Sequence, residues 1–213
     1  KLPPENSLAQ EYGVSRVTLR QALDLLEQDN IIYKQQGKGA FLKANPNLHV
    51  QELRFPTMDQ STSSISGKQV ISKNIKIWHD PAPSPIVLHQ LGIDKKTPVT
   101  ALERLFIREQ QILGLNRAWF KSADVPGLPE QGLINDSIST TLLERYNHDI
   151  VEVENWIEAT KLDAPTAAVL ESNYGASALQ IDTVHYLEGR VPLEFSRTLW
   201  IGRITKFHLR FHK

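Results

Sequence analysis

Residues 11–32 read EYGVSRVTLRQALDLLEQDNII, and their pattern predicts the structure of the N-terminal part of the chain. Gly13 is predicted to end one short helix, because glycine tolerates the left-handed conformation that follows a helix. Ser15 is predicted to open the next helix, since its hydroxyl can accept from free backbone amides. Apolar residues then recur with the spacing of one core-facing helix face: Leu19, Ala22, Leu23 and Leu26. The pattern predicts a helix-turn-helix.

The first turns of the second helix leave polar side chains outside that apolar face. Hydroxyl groups and a helix N-terminus can hold phosphates, and arginine can pair bidentately with guanine. The candidate DNA-binding residues here are Ser15, Arg16, Thr18 and Arg20.

A glycine-rich hairpin is predicted directly after this helix. Residues 31–34 and 40–43 have the composition of two short strands around QQGKG. Gly37 and Gly39 allow the tight turn, and Lys38 is at its tip, where a phosphate could be held. Each part alone occurs in many soluble domains. The combination favours DNA binding.

Residues 2–42, LPPENSLAQEYGVSRVTLRQALDLLEQDNIIYKQQGKGAFL, resemble the winged helix-turn-helix of the GntR family of bacterial transcription regulators. The resemblance rests on L-P-x-E, V-S-R-x-T-x-R and G-x-G-x-F. Pro4 and Asn30 depart from the usual Ser and Gly of the family. The family has a further helix before this point, so we expect residues 1–44 to be a DNA-binding domain that lacks its first helix.

Composition limits the remaining options. The 213 residues carry 24 basic and 24 acidic side chains and no Cys, which excludes disulfides, a thiol nucleophile and thiolate metal sites. Residues 1–43 hold an excess of only one positive charge. Tight binding should therefore need two copies on a two-fold DNA operator, which predicts a homodimer. No membrane span, cofactor or metal-ligand spacing is visible, and a cytoplasmic location is expected.

Periodicity is lost over residues 45–68, which are predicted to be a linker. Leu53 and Phe55 alternate and could form a short edge strand. A flexible tether and a strap docked on the second domain both remain open.

The second domain, residues 69–213, alternates strands and helices. The predicted strands are 70–79, 99–108, 112–120, 151–160, 179–187 and 193–200. The predicted helices are 83–91, 137–146 and 165–172. Consecutive hairpins imply an antiparallel sheet with helices packed on it, which makes the chain α+β.

Three segments resemble the UTRA domain, the effector-binding half of the HutC subfamily of GntR regulators: residues 103–128, 137–147 and 184–207. This resemblance implies a chorismate-lyase-like fold. It also implies a pocket on the sheet for a small metabolite, such as a sugar, a sugar phosphate or an organic acid, that changes DNA binding.

The resemblance also implies which residues line that pocket. Arg104 and Phe106 share a strand face, and the family often has Arg at both positions. Phe106 therefore suggests an effector with less charge, or one that presents a flat or apolar face to the ring. Asn116 replaces a frequent Glu, and Ser137 opens a hydroxyl-rich helix that could seat an anion. The expected effector-binding residues are Arg104, Phe106, Asn116, Ser137, Glu194 and Trp200.

Each of these residues has an ordinary structural alternative. Phe106 and Trp200 could be core, Ser137 could only be an N-cap, and Arg104 and Glu194 could be surface charges. The predicted function is a metabolite-controlled transcription regulator, expected to be a repressor. The alternative is a lyase-like enzyme, for which the sequence offers no G-x-S-x-G elbow and no phosphate-cradling glycine loop.

Overall fold

A computed structural model describes residues 1–28, 31–42, 49–52 and 70–208. The chain divides into two compact units, residues 1–48 and 49–213. The first unit contains the helices α1 (Glu5–Glu11) and α2 (Arg16–Gln28) and the antiparallel strands β1 (Ile32–Gln35) and β2 (Gly39–Leu42). This order confirms the predicted helix-turn-helix and hairpin.

The first unit has a small core, and one residue expected there lies outside it. Ala9, Leu19, Leu23 and Ile32 are buried together. Ala22 is exposed, so the prediction that it faces the core was wrong. At 3.6 residues per turn, Ala22 lies about 60° round the helix from Leu19, at the edge of the apolar face.

The second unit is built on a six-stranded sheet in the order β4-β5-β6-β9-β8-β7, with every neighbouring pair antiparallel. Its strands are β4 (Ile71–Asp80), β5 (Val99–Arg108), β6 (Gln111–Lys121), β7 (Glu152–Lys161), β8 (Ser177–Leu187) and β9 (Val191–Ile201). Its helices are α3 (Pro85–Leu91), α4 (Leu128–Gln131), α5 (Ile138–Glu144) and α6 (Ala164–Val169). The α+β prediction and the antiparallel sheet are confirmed.

Helices cover both faces of this sheet. Successive side chains of a strand alternate between faces, so Phe120 and Trp119 point to opposite sides. The face of Phe120 packs against Leu128 of α4 and Leu142 of α5. The face of Trp119 packs against Val87 and Leu91 of α3, together with its neighbour Phe195.

The structure differs from the sequence prediction in three local features. The predicted linker contributes a strand, β3 (His49–Glu52), which pairs in parallel with β10 (Thr205–His208). Leu53 and Phe55 lie outside the described residues. Residues 128–131, where no helix was predicted, form the four-residue helix α4, and α3 begins at Pro85 rather than at 83. None of the described helices is long and apolar enough to cross a membrane.

Candidate functional sites

The start of α2 presents hydroxyl groups at the surface of the first unit. Gly13 has a φ of 62°, which lets the chain turn between the helices. The Ser15 hydroxyl accepts from the backbone amide of Thr18 at 3.1 Å, and the two side-chain oxygens lie 2.8 Å apart. Ser15 is therefore the N-cap that the sequence predicts. The side chains of Ser15 and Thr18 lie next to each other, and both residues are exposed.

The cations of the first unit divide into paired and unpaired groups. The Arg20 Nε donates to Glu5 at 2.8 Å, which joins α2 to α1, and this carboxylate raises the pKa of Arg20. Lys34 pairs with Asp24 on α2. Arg16 and Lys38 are exposed and form no ion pair within the described part of the unit. Of the predicted DNA-binding arginines, Arg16 is the one available without breaking an ion pair.

The turn between β1 and β2, which we call the wing turn, has the conformation that Gly37 and Gly39 predict. Gly37 and Gly39 have φ values of 73° and 100°, and the amide of Lys38 donates to the carbonyl of Gln35 at 2.9 Å. This contact holds the exposed Lys38 at the tip of the hairpin.

In the second unit, three polar side chains line up across three neighbouring strands. Arg104, Asn116 and Thr198 are register partners on β5, β6 and β9, and are 7%, 2% and 1% exposed. The Arg104 Nε donates to Oδ1 of Asn116 at 3.1 Å, and Nδ2 of Asn116 donates to Thr198 at 2.9 Å. Burying such groups is costly unless they are hydrogen-bonded, so this row is a specific feature of the sheet.

Further buried polar residues continue this row on the same face. Glu194, Ser196 and Thr198 alternate along β9, and Thr183 and His185 of β8 are the partners of Ser196 and Glu194. The polar strip, as we call it, consists of Arg104, Asn116, Thr183, His185, Glu194, Ser196 and Thr198.

Phe106 and Trp200 form the next row along the sheet. Their rings stack at 4.8 Å across Gly114 of the intervening strand, with 9° between the planes, and both are 0% exposed. The Arg104 guanidinium lies 5.3 Å from the Phe106 ring centroid. The structure thus brings Arg104, Phe106, Asn116 and Trp200 together, with the two rings facing each other rather than solvent.

Ser137 caps α5, accepting from the amide of Thr140 at 3.2 Å. The preceding residue, Asp136, accepts from the Asn74 side chain, and Asn74 is the register partner of Arg104. The cap is therefore tied to the strand next to Arg104.

Glu194 lies at the other end of the polar strip. It is four residues from Thr198 on β9, a separation of about 13 Å in an extended strand. Its Oε2 is 3.1 Å from Nδ1 of His185, and both side chains are almost fully buried. Glu194 and Arg104 are thus on one face without direct contact.

Sequence reasoning missed four residues of the polar strip: Thr183, His185, Ser196 and Thr198. Two of them could have been found from the sequence. Ser196 and Thr198 alternate with odd-numbered residues along the same strand as Glu194 and Trp200, so all four lie on one face. Thr183 and His185 join the strip through the β8–β9 register, which alternation within one strand does not reveal. Among the described residues, no three His, Cys, Asp or Glu side chains are grouped to hold a metal.

Comparisons with known proteins agree with this architecture. Residues 66–205 match the model of the UTRA domain, and residues 1–42 match the model described as bacterial regulatory proteins, gntR family. The HTH-type transcriptional regulator GmuR of Bacillus subtilis is 28% identical, over 92% of this chain and 82% of that protein. The mannosyl-D-glycerate transport/metabolism system repressor MngR of Escherichia coli is 26% identical, over 98% and 85%. The crystal structure of PhnF from Mycobacterium smegmatis matches with a TM-score of 0.68 at 21% identity, over 99% and 91%.

Proposed function

The chain belongs to the UTRA family of gntR-type bacterial regulators, and from this premise we propose that it is a homodimeric repressor controlled by a small metabolite. It is a DNA-binding transcription regulator with an effector-binding domain. The lyase-like alternative is set aside because the family is one of regulatory proteins. Assignment to the HutC subfamily and the repressor role are parts of the proposal, and the name of MngR supports the latter.

The observation that carries the sensing role is the polar strip. It combines one cation, Arg104, with an amide, three hydroxyl groups and the buried pair of His185 and Glu194. Such a set matches a molecule with many hydroxyls and at most one or two charges, because each hydroxyl needs a donor or acceptor when water is removed. We propose a sugar, a sugar phosphate or an organic acid as the effector, with contacts to Arg104, Phe106, Asn116, Ser137, Glu194 and Trp200.

We propose that DNA is held by Ser15, Arg16, Thr18, Arg20 and the wing turn of Gly37, Lys38 and Gly39. The effector binds one arrangement of the dimer more tightly and so shifts the population between arrangements. Half-sites on one face of DNA are about 34 Å apart, so a change of several ångströms in the spacing of the two α2 helices would weaken binding. Coupling of this kind typically changes affinity about 5- to 150-fold.

A thermal-shift screen of the full chain against neutral sugars, amino sugars, sugar phosphates and organic acids tests the sensing role. A ligand that binds only the folded state raises the unfolding temperature. The shift should be lost in Arg104→Ala and in Arg104→Lys, and kept in Lys95→Ala, which removes an exposed cation elsewhere. Arg104→Lys retains the charge, so it tests the pocket if Arg104→Ala fails to fold.

The hit must then change binding to DNA fragments selected by the protein. If operator affinity stays constant across the whole panel, the sensing role is contradicted.

A further inference from the structure

His185 is a buried imidazole whose two ring nitrogens have no hydrogen-bond partner within the described part of the chain. The residue lies on β8, in the polar strip, and is 7% exposed. Buried polar groups are nearly always hydrogen-bonded, so an unpaired ring of this kind needs a physical explanation. His148, by contrast, has its Nε2 2.7 Å from the carbonyl oxygen of Asp124, which is the contact expected of a structural histidine.

The neighbour of His185 on the next strand is a buried carboxylate. Glu194 is its register partner, and Oε2 of Glu194 lies 3.1 Å from Nδ1 of the ring. The distance suits a hydrogen bond, but the alignment of one is missing. Nε2 would stay unpaired even if the ring turned Nδ1 toward Glu194, because both nitrogens lack other partners among the residues that the structure describes.

These two groups together determine which chemical group can bind to them. A carboxylate only accepts hydrogen bonds, whereas a neutral imidazole has one nitrogen that donates and one that accepts. A hydroxyl group both donates and accepts, so it can pair with Glu194 and with either nitrogen of His185. A phosphate or carboxylate group of a ligand would instead be repelled by the charge of Glu194. This end of the polar strip therefore suits neutral hydroxyl groups.

Arg104 is too far away to share the group that binds here. Thr198, its neighbour on the same row, is four residues from Glu194, which is about 13 Å along an extended strand. The Arg104 guanidinium lies 5.3 Å from the ring of Phe106, which is one row further from Glu194. The two ends of the strip must therefore contact different parts of one molecule.

We propose that His185, together with Glu194, binds neighbouring hydroxyl groups of a sugar ring in the effector, while an acidic group of the same molecule lies at Arg104. This inference rests on the effector-binding role of the proposed function and deepens it. It makes His185 a specificity-determining residue that fixes the orientation of the sugar. It also narrows the effector to an acidic sugar, because a neutral sugar leaves Arg104 unused and a simple organic acid leaves His185 unpaired.

Isothermal titration calorimetry of the full chain with hexose 6-phosphates, hexuronic acids and their monodeoxy analogues tests this role. His185→Asn removes Nε2 and should raise the Kd of a bound acidic sugar about 10- to 100-fold, the usual effect of losing a hydrogen bond beside a charged group. The analogue that lacks the contacted hydroxyl should bind wild type and His185→Asn equally. This loss of the difference is the readout that a purely structural role would not give.

Two further variants accompany this measurement. His185→Gln can place an amide near the position of Nε2, so it should recover part of the affinity. His89→Asn changes an exposed histidine of α3, on the other face of the sheet, and should bind every sugar as the wild type does. Circular dichroism checks that each variant is folded, and His185→Gln carries the test if His185→Asn is not.

The outcomes separate this inference from the proposed function. A Kd that rises by the same factor for a sugar and all of its deoxy analogues shows a structural role and overturns the inference. Equal binding by wild type and both His185 variants also overturns it, and the sensing role stands if Arg104→Ala abolishes that binding. Binding of only neutral sugars or simple organic acids leaves the sensing role and overturns the inference. If no compound of any class binds the wild type, both are contradicted.

Discussion

Gly114 occupies the position where two aromatic rings meet across a strand. A β-carbon there would lie 2.9 Å from the Leu199 carbonyl oxygen and 3.0 Å from the Trp200 ring. Since the first of these atoms is backbone, Gly114→Ala should separate the stacked rings of Phe106 and Trp200. We expect the free energy of unfolding to fall by about 1–3 kcal/mol, as in other overpacked cores.

Urea denaturation measures this loss, and near-ultraviolet circular dichroism reports the rings. Asn173→Ala, at an exposed site, is the control and should change stability by less than about 0.5 kcal/mol. Unchanged stability and an unchanged aromatic spectrum in Gly114→Ala would show that the contact is loose.

The same row shows which residue properties the sequence could predict. That Arg104 and Phe106 share a face follows from their spacing alone. That Asn116 bonds Arg104, and that Gly114 separates Phe106 from Trp200, depends on the register between strands. Register is set by turns and packing along whole hairpins, so single-strand patterns do not contain it.

The turn between β5 and β6 carries backbone strain that one substitution can relieve. Arg108 faces Gln111, so Glu109 and Gln110 form a two-residue turn, and their φ values are 48° and 68°. Positive φ at both central residues is the type I′ geometry, which favours glycine. A residue with a β-carbon there costs about 1–2 kcal/mol. We expect Gln110→Gly to raise the free energy of unfolding by about 1 kcal/mol.

Lys96→Gly is the matched control for this change. Lys96 is exposed in a turn, and its φ is not positive. Glycine there should lower stability by about 0.4–1 kcal/mol through unfolded-state entropy. Thermal or urea unfolding of the two variants must therefore give opposite signs; the same sign in both would contradict the strained turn.

The cap of α6 links stability to pH. The Asp163 carboxylate accepts from the Thr166 amide at 2.8 Å, and its hydrogen bonds with Thr166 lower the pKa of Asp163. A lowered folded-state pKa contributes stability above the usual Asp value, and this is lost as pH falls through the lowered pKa. Asp163→Asn keeps a capping oxygen without the charge.

We therefore expect Asp163→Asn to be less stable than the wild type at pH 7, and we expect this difference to shrink as the pH falls below about 3.9, the usual pKa of Asp. Urea unfolding across this range measures the difference. Asp149→Asn, at an exposed carboxylate, is the control and should give the smaller pH dependence. A constant difference between wild type and Asp163→Asn at all pH values would refute the charged cap.

Elements with strong local signals were predictable, and those that depend on distant partners were not. All six strands of the large sheet were predicted, and α3 ends at Leu91, where the predicted helix 83–91 ends, with Gly92 following it at a φ of 63°. The pairing of β3 with β10 joins residues about 150 positions apart and has no local signature. The helix α4 is only four residues long, too short for a helical period to show.

The charge distribution of the whole molecule determines how it should bind DNA. The chain is neutral overall, so the salt dependence of binding comes from placed cations rather than from a general positive field. Each phosphate contact contributes about −0.9 to the slope of log K against log salt concentration. Lys38→Ala removes one such contact from each DNA-binding unit, that is, from the first unit of each chain. If both DNA-binding units of a dimer contact DNA, the magnitude of the slope should fall by about 1.8. If only one unit contacts DNA, it should fall by about 0.9.

Fluorescence anisotropy on one duplex at several salt concentrations measures these slopes. Lys95→Ala removes an exposed cation from the second unit and should leave the slope unchanged. Arg20→Ala should change it less than Lys38→Ala, because Glu5 already neutralises Arg20 in the folded protein. A slope that is the same in Lys38→Ala and wild type would show that the wing does not contact phosphate. If the slope falls by only about 0.9, only one DNA-binding unit binds at a time. That result would contradict the proposed two-fold operator.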